Sequence, residues 1–242
     1  MHVPSISIDE MATIDERTIT FFGVDLRQLM ESAGFKVAAF ARERLKGTVA
    51  GKTIVILVGK GNNGGDGLVA ARYLTNWGAI VHLLVAVRPE TLREPGKSHL
   101  QTAKNMFINQ FYPTQTLPEE LEEADLIIDA LLGYNGRGAP REPLVTIIKK
   151  ANETKRPILS VDVPSGIDAD TGFVTGACIR ATWTLALALP KNGTMAKQAK
   201  PFVGELWVAD IGIPREVYQL LELPVPMIFE EKLWVKVSGK RI

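Results

Sequence analysis

The run KTIVILVG, residues 52–59, constrains the fold more than any other stretch of this chain. It is continuously apolar and of strand length, so it reads as a strand buried on both faces. A strand covered on both sides needs helices on both sides, and the sequence supplies them in alternation. LVAARYLTNWG is helical and closes at Gly78, AIVHLLVAV is a strand, and SHLQTAKNMFINQF is helical. ADLIIDALLG is a strand, PLVTIIKKANET is helical, and PILSVDVPSG, RATWTLALALP and GELWVADIGIP are three more strands. Such alternation implies right-handed crossovers onto a mostly parallel sheet. The expected fold class is therefore α/β: a three-layer α/β/α, Rossmann-like, doubly wound core over residues 52–214. Ahead of it, residues 7–45 read as an N-terminal helical extension, capped by Ser7 or Asp9 and interrupted at Gly23. Behind it, residues 215–242 form a C-terminal extension that includes the proline-rich surface excursion LELPVPMIF. With 242 residues, no internal repeat and no long linker, residues 1–242 are expected to make one domain.

Charge and cysteine content remove several function classes. A net charge of +1 provides no excess of Lys and Arg to neutralise phosphates, so a nucleic-acid partner is not expected. The sole cysteine, Cys178, excludes an intramolecular disulfide, and His2, His82 and His99 lack the spacing of a metal pair. The opening MHVPSISIDEM has neither the basic start nor the apolar core of a secretion signal. No apolar run approaches the roughly 18 residues that span a bilayer. No membrane association is expected, and a cytoplasmic location is.

Ligands of doubly wound sheets bind outside the carboxyl ends of the strands, and four polar loops collect there: GKGNNGGDG, DALLGYNGRGAP, VDVPSGIDADTG and LALPKNG. The first is the best phosphate candidate, because its glycines let backbone N–H groups approach a ligand and a helix beginning near Leu68 adds its positive end. A glycine-rich turn alone fits an unliganded strand-to-helix corner equally well. Asn62, Asn63 and Asp66 are more than a turn requires. The acidic residue that normally accompanies a dinucleotide fingerprint at the end of the second strand is missing; Arg88 lies there instead. Asp129 and Asp162 each end an apolar strand, where a buried carboxylate needs a partner. Facing Lys191 and the Asn63 amide, they suit a cation or acid–base site, although either alone reads equally as a loop cap. Ser165 lacks a histidine in any of the four loops, so ligation by its hydroxyl fits better than nucleophilic attack. Asp168 and Asp170 read as turn formers.

Together and in order, EMATIDERTITFFGVDLRQLMESAG, GKGNNGGDGLVAARYL, IIDALLG, SVDVPSGIDADTG, LALPKNG and VADIGIP resemble the NAD(P)H-hydrate epimerase family, whose animal members are also known as apolipoprotein-binding proteins. The resemblance covers residues 9 to about 214. It implies a substrate, hydrated NADH or NADPH carrying a hydroxyl at C6 of the nicotinamide ring, and interconversion of its R and S epimers in nucleotide repair. By this likeness Asn62, Asn63, Gly64, Gly65 and Asp66 line the hydrate site. The loop of Gly133, Tyr134, Asn135, Gly136, Arg137, Gly138 and Ala139 contacts diphosphate or ribose, and Asp162 the hydrated ring. Asn63, Asp129 and Ser165 are implied ligands of a potassium ion, oxygen donors that suit a hard cation. Where many members carry a compact G-T-G loop after the strand-end aspartate, this chain reads GYNGRGAPREP.

The implied chemistry is modest. A C6 hydroxyl beside N1 is a hemiaminal; once protonated it leaves as water, and water returns to either face of the iminium. Asp162 is the expected acid–base group, with Lys191 orienting or protonating the leaving oxygen. Phe21, Phe22 and Phe35 give the N-terminal segment more apolar surface than one layer covers, and the family pairs near this region, so a homodimer is expected. The kinase-like domain of microbial fusions is not seen after DIGIP, so a separate hydrate dehydratase is the expected functional partner. Two other readings stay open: a non-catalytic nucleotide- or protein-binding module on the same fold, and an NADP-dependent oxidoreductase whose extra phosphate meets Arg88.

Overall fold

Among the residues described by the computed structural model, 3–112 and 119–237, eight strands form one sheet. In chain order they are β1 (Thr53–Val58), β2 (Ile80–Val85), β3 (Asn109–Phe111), β4 (Leu126–Ala130), β5 (Ile158–Val161), β6 (Trp183–Leu187), β7 (Glu205–Ala209) and β8 (Trp234–Lys236). Their spatial order is β3-β2-β1-β4-β5-β6-β7-β8, parallel throughout except for the antiparallel β7–β8 pair. The chain winds outward from β1 through β2 to β3, then resumes on the other side of β1 with β4. The crevice where winding reverses thus lies between the carboxyl ends of β1 and β4.

Alternation along β1 explains the layers. Ile54, Ile56 and Val58 pack with residues of the helices α1 (Ile8–Thr20), α2 (Leu26–Arg44), α3 (Asn62–Asn76) and α4 (Gly96–Asn105). Val55 and Leu57 point the other way, onto Leu121 of α5 (Glu120–Glu123) and Ile147, Ile148 and Ala151 of α6 (Leu144–Glu153). Successive strand residues face opposite sides, so an unbroken apolar run is what a sheet coated on both faces requires. Three further short α-helices occur among the described residues: α7 (Asn192–Met195), α8 (Lys200–Val203) and α9 (Arg215–Leu220).

The N-terminal helices form as their sequence dictates. Ser7 caps α1 and Asp25 caps α2, each in a reciprocal capping box, with Glu10 and Gln28 respectively. Gly23, at φ +70°, makes the break between them. Phe40 of α2 is fully buried, a contribution of roughly 1.5–3 kcal/mol by transfer alone.

Three details differ from the sequence expectation. The helix after β1 begins at Asn62 and not near Leu68, so GNNGGDG is largely the first turns of α3 rather than a loop. The end of SHLQTAKNMFINQF is the three-residue strand β3, at the sheet edge. An eighth strand follows the proline-rich excursion, in which Ile228 is buried although its neighbours are largely exposed. Residues 238–242 of the expected C-terminal extension lie outside the described residues.

Candidate active site at the carboxyl edge of the sheet

Close packing dictates the glycines after β1. A Cβ on Gly59 would lie 1.7 Å from the carbonyl oxygen of Leu131, in the segment after β4, and one on Gly64 would lie 2.1 Å from the Gly59 carbonyl. Glycine at both positions lets α3 start directly against the β1–β4 crevice. Its cap, Gly61, provides no side-chain acceptor, so no capping side chain takes up the first N–H groups of α3, the kind of donors that bind anions.

Asp162 follows β5 directly and holds an uncommon backbone. Its φ is +67°, and the Val163 N–H donates to the Val161 carbonyl at 2.8 Å across it. Ala188, after β6, repeats the arrangement at φ +64°, with Leu189 N–H donating to the Leu187 carbonyl at 2.8 Å. Such tight three-residue turns at positive φ cost conformational energy for residues other than glycine, and persist where surrounding contacts over-determine them. Here the contacts are evident. The Asp162 carboxylate accepts from the Lys191 ammonium, from Tyr134 N–H at 3.1 Å and from Leu187 N–H at 3.3 Å. Lys191 is 1% exposed and gives its other protons to the carbonyls of Leu187 at 2.9 Å and Leu189 at 3.1 Å. With three acceptors for three protons, it has none left for a leaving oxygen. The proton-donor role expected for Lys191 is replaced by that of a fixed counter-charge to Asp162.

Tyr134, in the divergent loop, ties a further element to the pair. Its ring lies 5.4 Å from the Lys191 ammonium, and its hydroxyl donates to Asp15 of α1 at 2.6 Å. The segment leading into α1 is pinned to the same edge: Ile6 bridges Lys191, and Ile8 N–H donates to the Asp170 carboxylate at 2.7 Å. Asp170 is thus a tether for the N-terminal arm, whereas Asp168 caps its own turn through Thr171. Asp15 is the site residue missing from the sequence reading. An aspartate on an exposed-looking helix turn carries no local signal; only the docking of α1 gives it a role. Burial raises the Asp15 pKa against the lowering effect of the Tyr134 hydrogen bond, and burial, with Asp15 next, raises that of Tyr134.

Asp66 faces the same centre. It is 7% exposed and accepts no hydrogen bond among the described residues. Burial first, then the charges of Asp162 and Asp15, push its carboxyl well above the usual range.

Asp129 belongs to a second cluster. It is fully buried and accepts from Ser165 Oγ at 2.5 Å, Ser160 Oγ at 2.8 Å, Ser165 N–H at 2.9 Å and Leu131 N–H at 3.3 Å. Burial raises its carboxyl while these donors oppose the shift. It therefore does not face Lys191, contrary to expectation; Asp162 is the carboxylate to which the lysine donates. Ser165 Oγ also accepts from Leu132 N–H at 2.9 Å. Asn63, 7% exposed, packs against Gly133 beside Leu132, and its Nδ2 is buried without a partner. Asn62, Asn135, Arg137, Gly138 and Ala139 are exposed, with Gly136 half-buried among them. The structure thus draws Asp66, Tyr134, Asp162 and Lys191 together, sets Asn63, Asp129 and Ser165 beside them, and leaves residues 135–139 as an open rim. Arg88 is exposed at the start of a short turn beyond β2.

Residues 26–193 match the family model described as "YjeF-related protein N-terminus". A relative from Dehalogenimonas lykanthroporepellens named NAD(P)H-hydrate epimerase is 36% identical over 218 residues, which cover 89% of this chain and 85% of that protein. Another, from Moorella thermoacetica and named bifunctional NAD(P)H-hydrate repair enzyme Nnr, is 37% identical over 218 residues, 88% of this chain. The match spans only 41% of that longer protein. Among solved structures, the yeast protein YNL200c superposes with a TM-score of 0.81 at 27% identity, covering 97% of this chain and all of its own. None of the described helices is long and apolar enough to cross a membrane.

Proposed function

Since this chain belongs to the family of YjeF-related protein N-termini, we propose that it is an isomerase that interconverts the R and S forms of hydrated NADH and NADPH. One observation supports this most directly. A carboxylate fixed by a buried ammonium and two backbone N–H groups, Asp162, stands at the crevice beside the open N-terminus of α3. A nucleotide diphosphate suits that helix terminus and the exposed Arg137 of the rim. The ring would then lie over Asp162, Asn62, Asn63, Gly64, Gly65 and Asp66, with residues 133–139 along the phosphates and ribose. The reaction breaks and re-forms one C6–O bond, with water leaving and returning, so no electrons are exchanged. The test is incubation with purified R hydrate, followed by chromatography. Appearance of S hydrate well above the spontaneous rate is expected; an unchanged R pool would favour a binding module on this fold.

A monovalent cation fits the second cluster. Asp129 is a buried carboxylate with no cationic partner among the described residues. Ser165 adds a hydroxyl oxygen. The partnerless Asn63 Nδ2 means that turning the amide over sacrifices no hydrogen bond and presents oxygen instead. We therefore assign Asn63, Asp129 and Ser165 as potassium ligands, the ion supplying the counter-charge that burial of Asp129 calls for. Potassium at constant ionic strength should raise the melting temperature of the native protein more than that of Asp129→Ala. Equal responses would remove the ion from the site.

Phe35 finds cover inside the chain, against Tyr73 and Trp77, but Phe21 is 67% exposed. A homodimer that buries the α1–α2 corner is proposed on that ground, in a cytoplasmic setting that cell fractionation would check. Light scattering at micromolar concentration should give near twice the 26.5 kDa chain mass; a monomer at every concentration would exclude the pairing. The bifunctional name of the Moorella relative supports pairing of this activity with a second repair activity on the same hydrate.

A further inference from the structure

Three carboxyl groups, Asp15, Asp66 and Asp162, share the carboxyl edge of the sheet with one ammonium, that of Lys191. Their partners are unequally distributed. Asp162 takes the ammonium and two backbone N–H groups, and Asp15 takes the Tyr134 phenol. Asp66, although 7% exposed, is left with no donor among the described residues. A buried carboxylate without donors is costly, and two neighbouring carboxylates add repulsion that the Lys191 charge offsets only in part. A protonated carboxyl at that position carries neither cost and keeps an O–H to give away.

Building on the epimerase reading above, we infer that Asp66 is the proton donor to the C6 hydroxyl and Asp162 the proton acceptor, each serving one face of the nicotinamide ring. The residues divide the work as their surroundings dictate: Asp66 feels the Lys191 charge only through space and accepts no hydrogen bond among the described residues, whereas Asp162 holds the ammonium and two backbone N–H groups. Environments that separate two carboxyls in this way mark acid and base in a common pocket. Over one turnover a proton passes from Asp66 to Asp162 by way of substrate and water, and exchange with solvent returns it to Asp66 before the next. Asp66 transfers its proton to the C6 oxygen, the C6–O bond breaks, and water departs as N1 forms the iminium. Water then adds to the opposite face and loses a proton to Asp162. The reverse epimerisation runs through the same groups with roles exchanged. The raised Asp66 carboxyl, caused by burial and then by Asp162 and Asp15, is in keeping with this division.

The test compares wild type with Asp66→Asn in both directions of epimerisation. Turnover should fall by about 10²-fold or more each way, while binding of intact NADPH, followed by calorimetry, stays within about threefold. Since the Asp66 pKa is raised on folding, its protonation stabilises the wild type at low pH, and that stability is lost as pH rises through the folded value. The wild-type melting temperature should therefore decline with rising pH relative to that of Asp66→Asn, whose side chain does not titrate. The groups facing Asp66, namely Asp15 on α1 and Asp162 and Lys191 beyond β5 and β6, are common to both proteins. Parallel melting curves, an active Asp66→Asn, or equal loss of NADPH binding and activity would each overturn the assignment of Asp66 alone. A wild type inactive on both epimers overturns the epimerase reading and this one with it. If Asp66→Asn does not fold, the wild-type pH–rate profile decides: an alkaline limb is expected, and a flat one rejects the donor.

Discussion

Asp162→Asn is expected to lower epimerisation by about 10²-fold or more, the usual scale of a lost general acid–base group, in a protein that still folds. Asparagine is the informative replacement because of the backbone. Asp162 sits at φ +67°, a region that asparagine enters more readily than most residues other than glycine. Alanine would add backbone strain to the loss of the carboxylate and confuse the two. With its oxygen in the Oδ1 position the amide can still accept from Lys191 and from Leu187 N–H, and only the Tyr134 N–H bond to Oδ2 is lost. Shape therefore survives while proton acceptance does not. The measurement is the initial rate of S-hydrate formation from R hydrate, alongside calorimetric binding of NADPH. Retained binding with lost turnover places Asp162 at the chemical step. Near-native turnover would take it out of the mechanism.

The carboxyl edge was legible in the sequence because parallel strands buried on both faces announce themselves as unbroken apolar runs. The polar residues at their ends, Asp129, Asp162, Ser165 and Lys191, stand out by contrast. What was illegible depended on tertiary packing. Four glycines among residues 59–65 read as a loop by propensity, yet α3 begins at Asn62, because the contact of Gly59 and Gly64 with the β1–β4 crevice overrides helix propensity. β3 is three residues at an edge, too short to leave a period-2 signature beside the helical pattern preceding it. Asp15 gained its role from Tyr134, 119 residues away in the chain. The sequence placed both strand-end aspartates near Lys191, but register decides between them: Asp129 pairs with Ser160 across β4–β5, inside the sheet, whereas Asp162 follows the end of β5. Only the second can reach a lysine anchored beyond β6.

Lys191→Met should destabilise the fold by about 3–5 kcal/mol, the range for breaking a buried ion pair by removing one partner. For a chain of this length that corresponds to a melting temperature lower by roughly 6–20 °C. The reason is the position of the pair: the two side chains are 1% and 5% exposed, so solvent cannot replace the missing charge. Methionine has comparable length and an apolar tip, which limits the cavity term and isolates the electrostatic one. The same substitution frees the carbonyls of Leu187 and Leu189, which accept from the ammonium and flank the strained turn at Ala188. Some loosening of that turn will add to the deficit. A double-mutant cycle separates these contributions. In Lys191→Met/Asp162→Asn the uncompensated carboxylate is gone, so the double variant should be more stable than Lys191→Met alone, leaving only the carbonyl and turn terms. Urea unfolding of the four proteins measures this. Strictly additive losses would mean that the ion pair does not hold the two loops together, and that Asp162 owes its position to the backbone N–H donors of Tyr134 and Leu187.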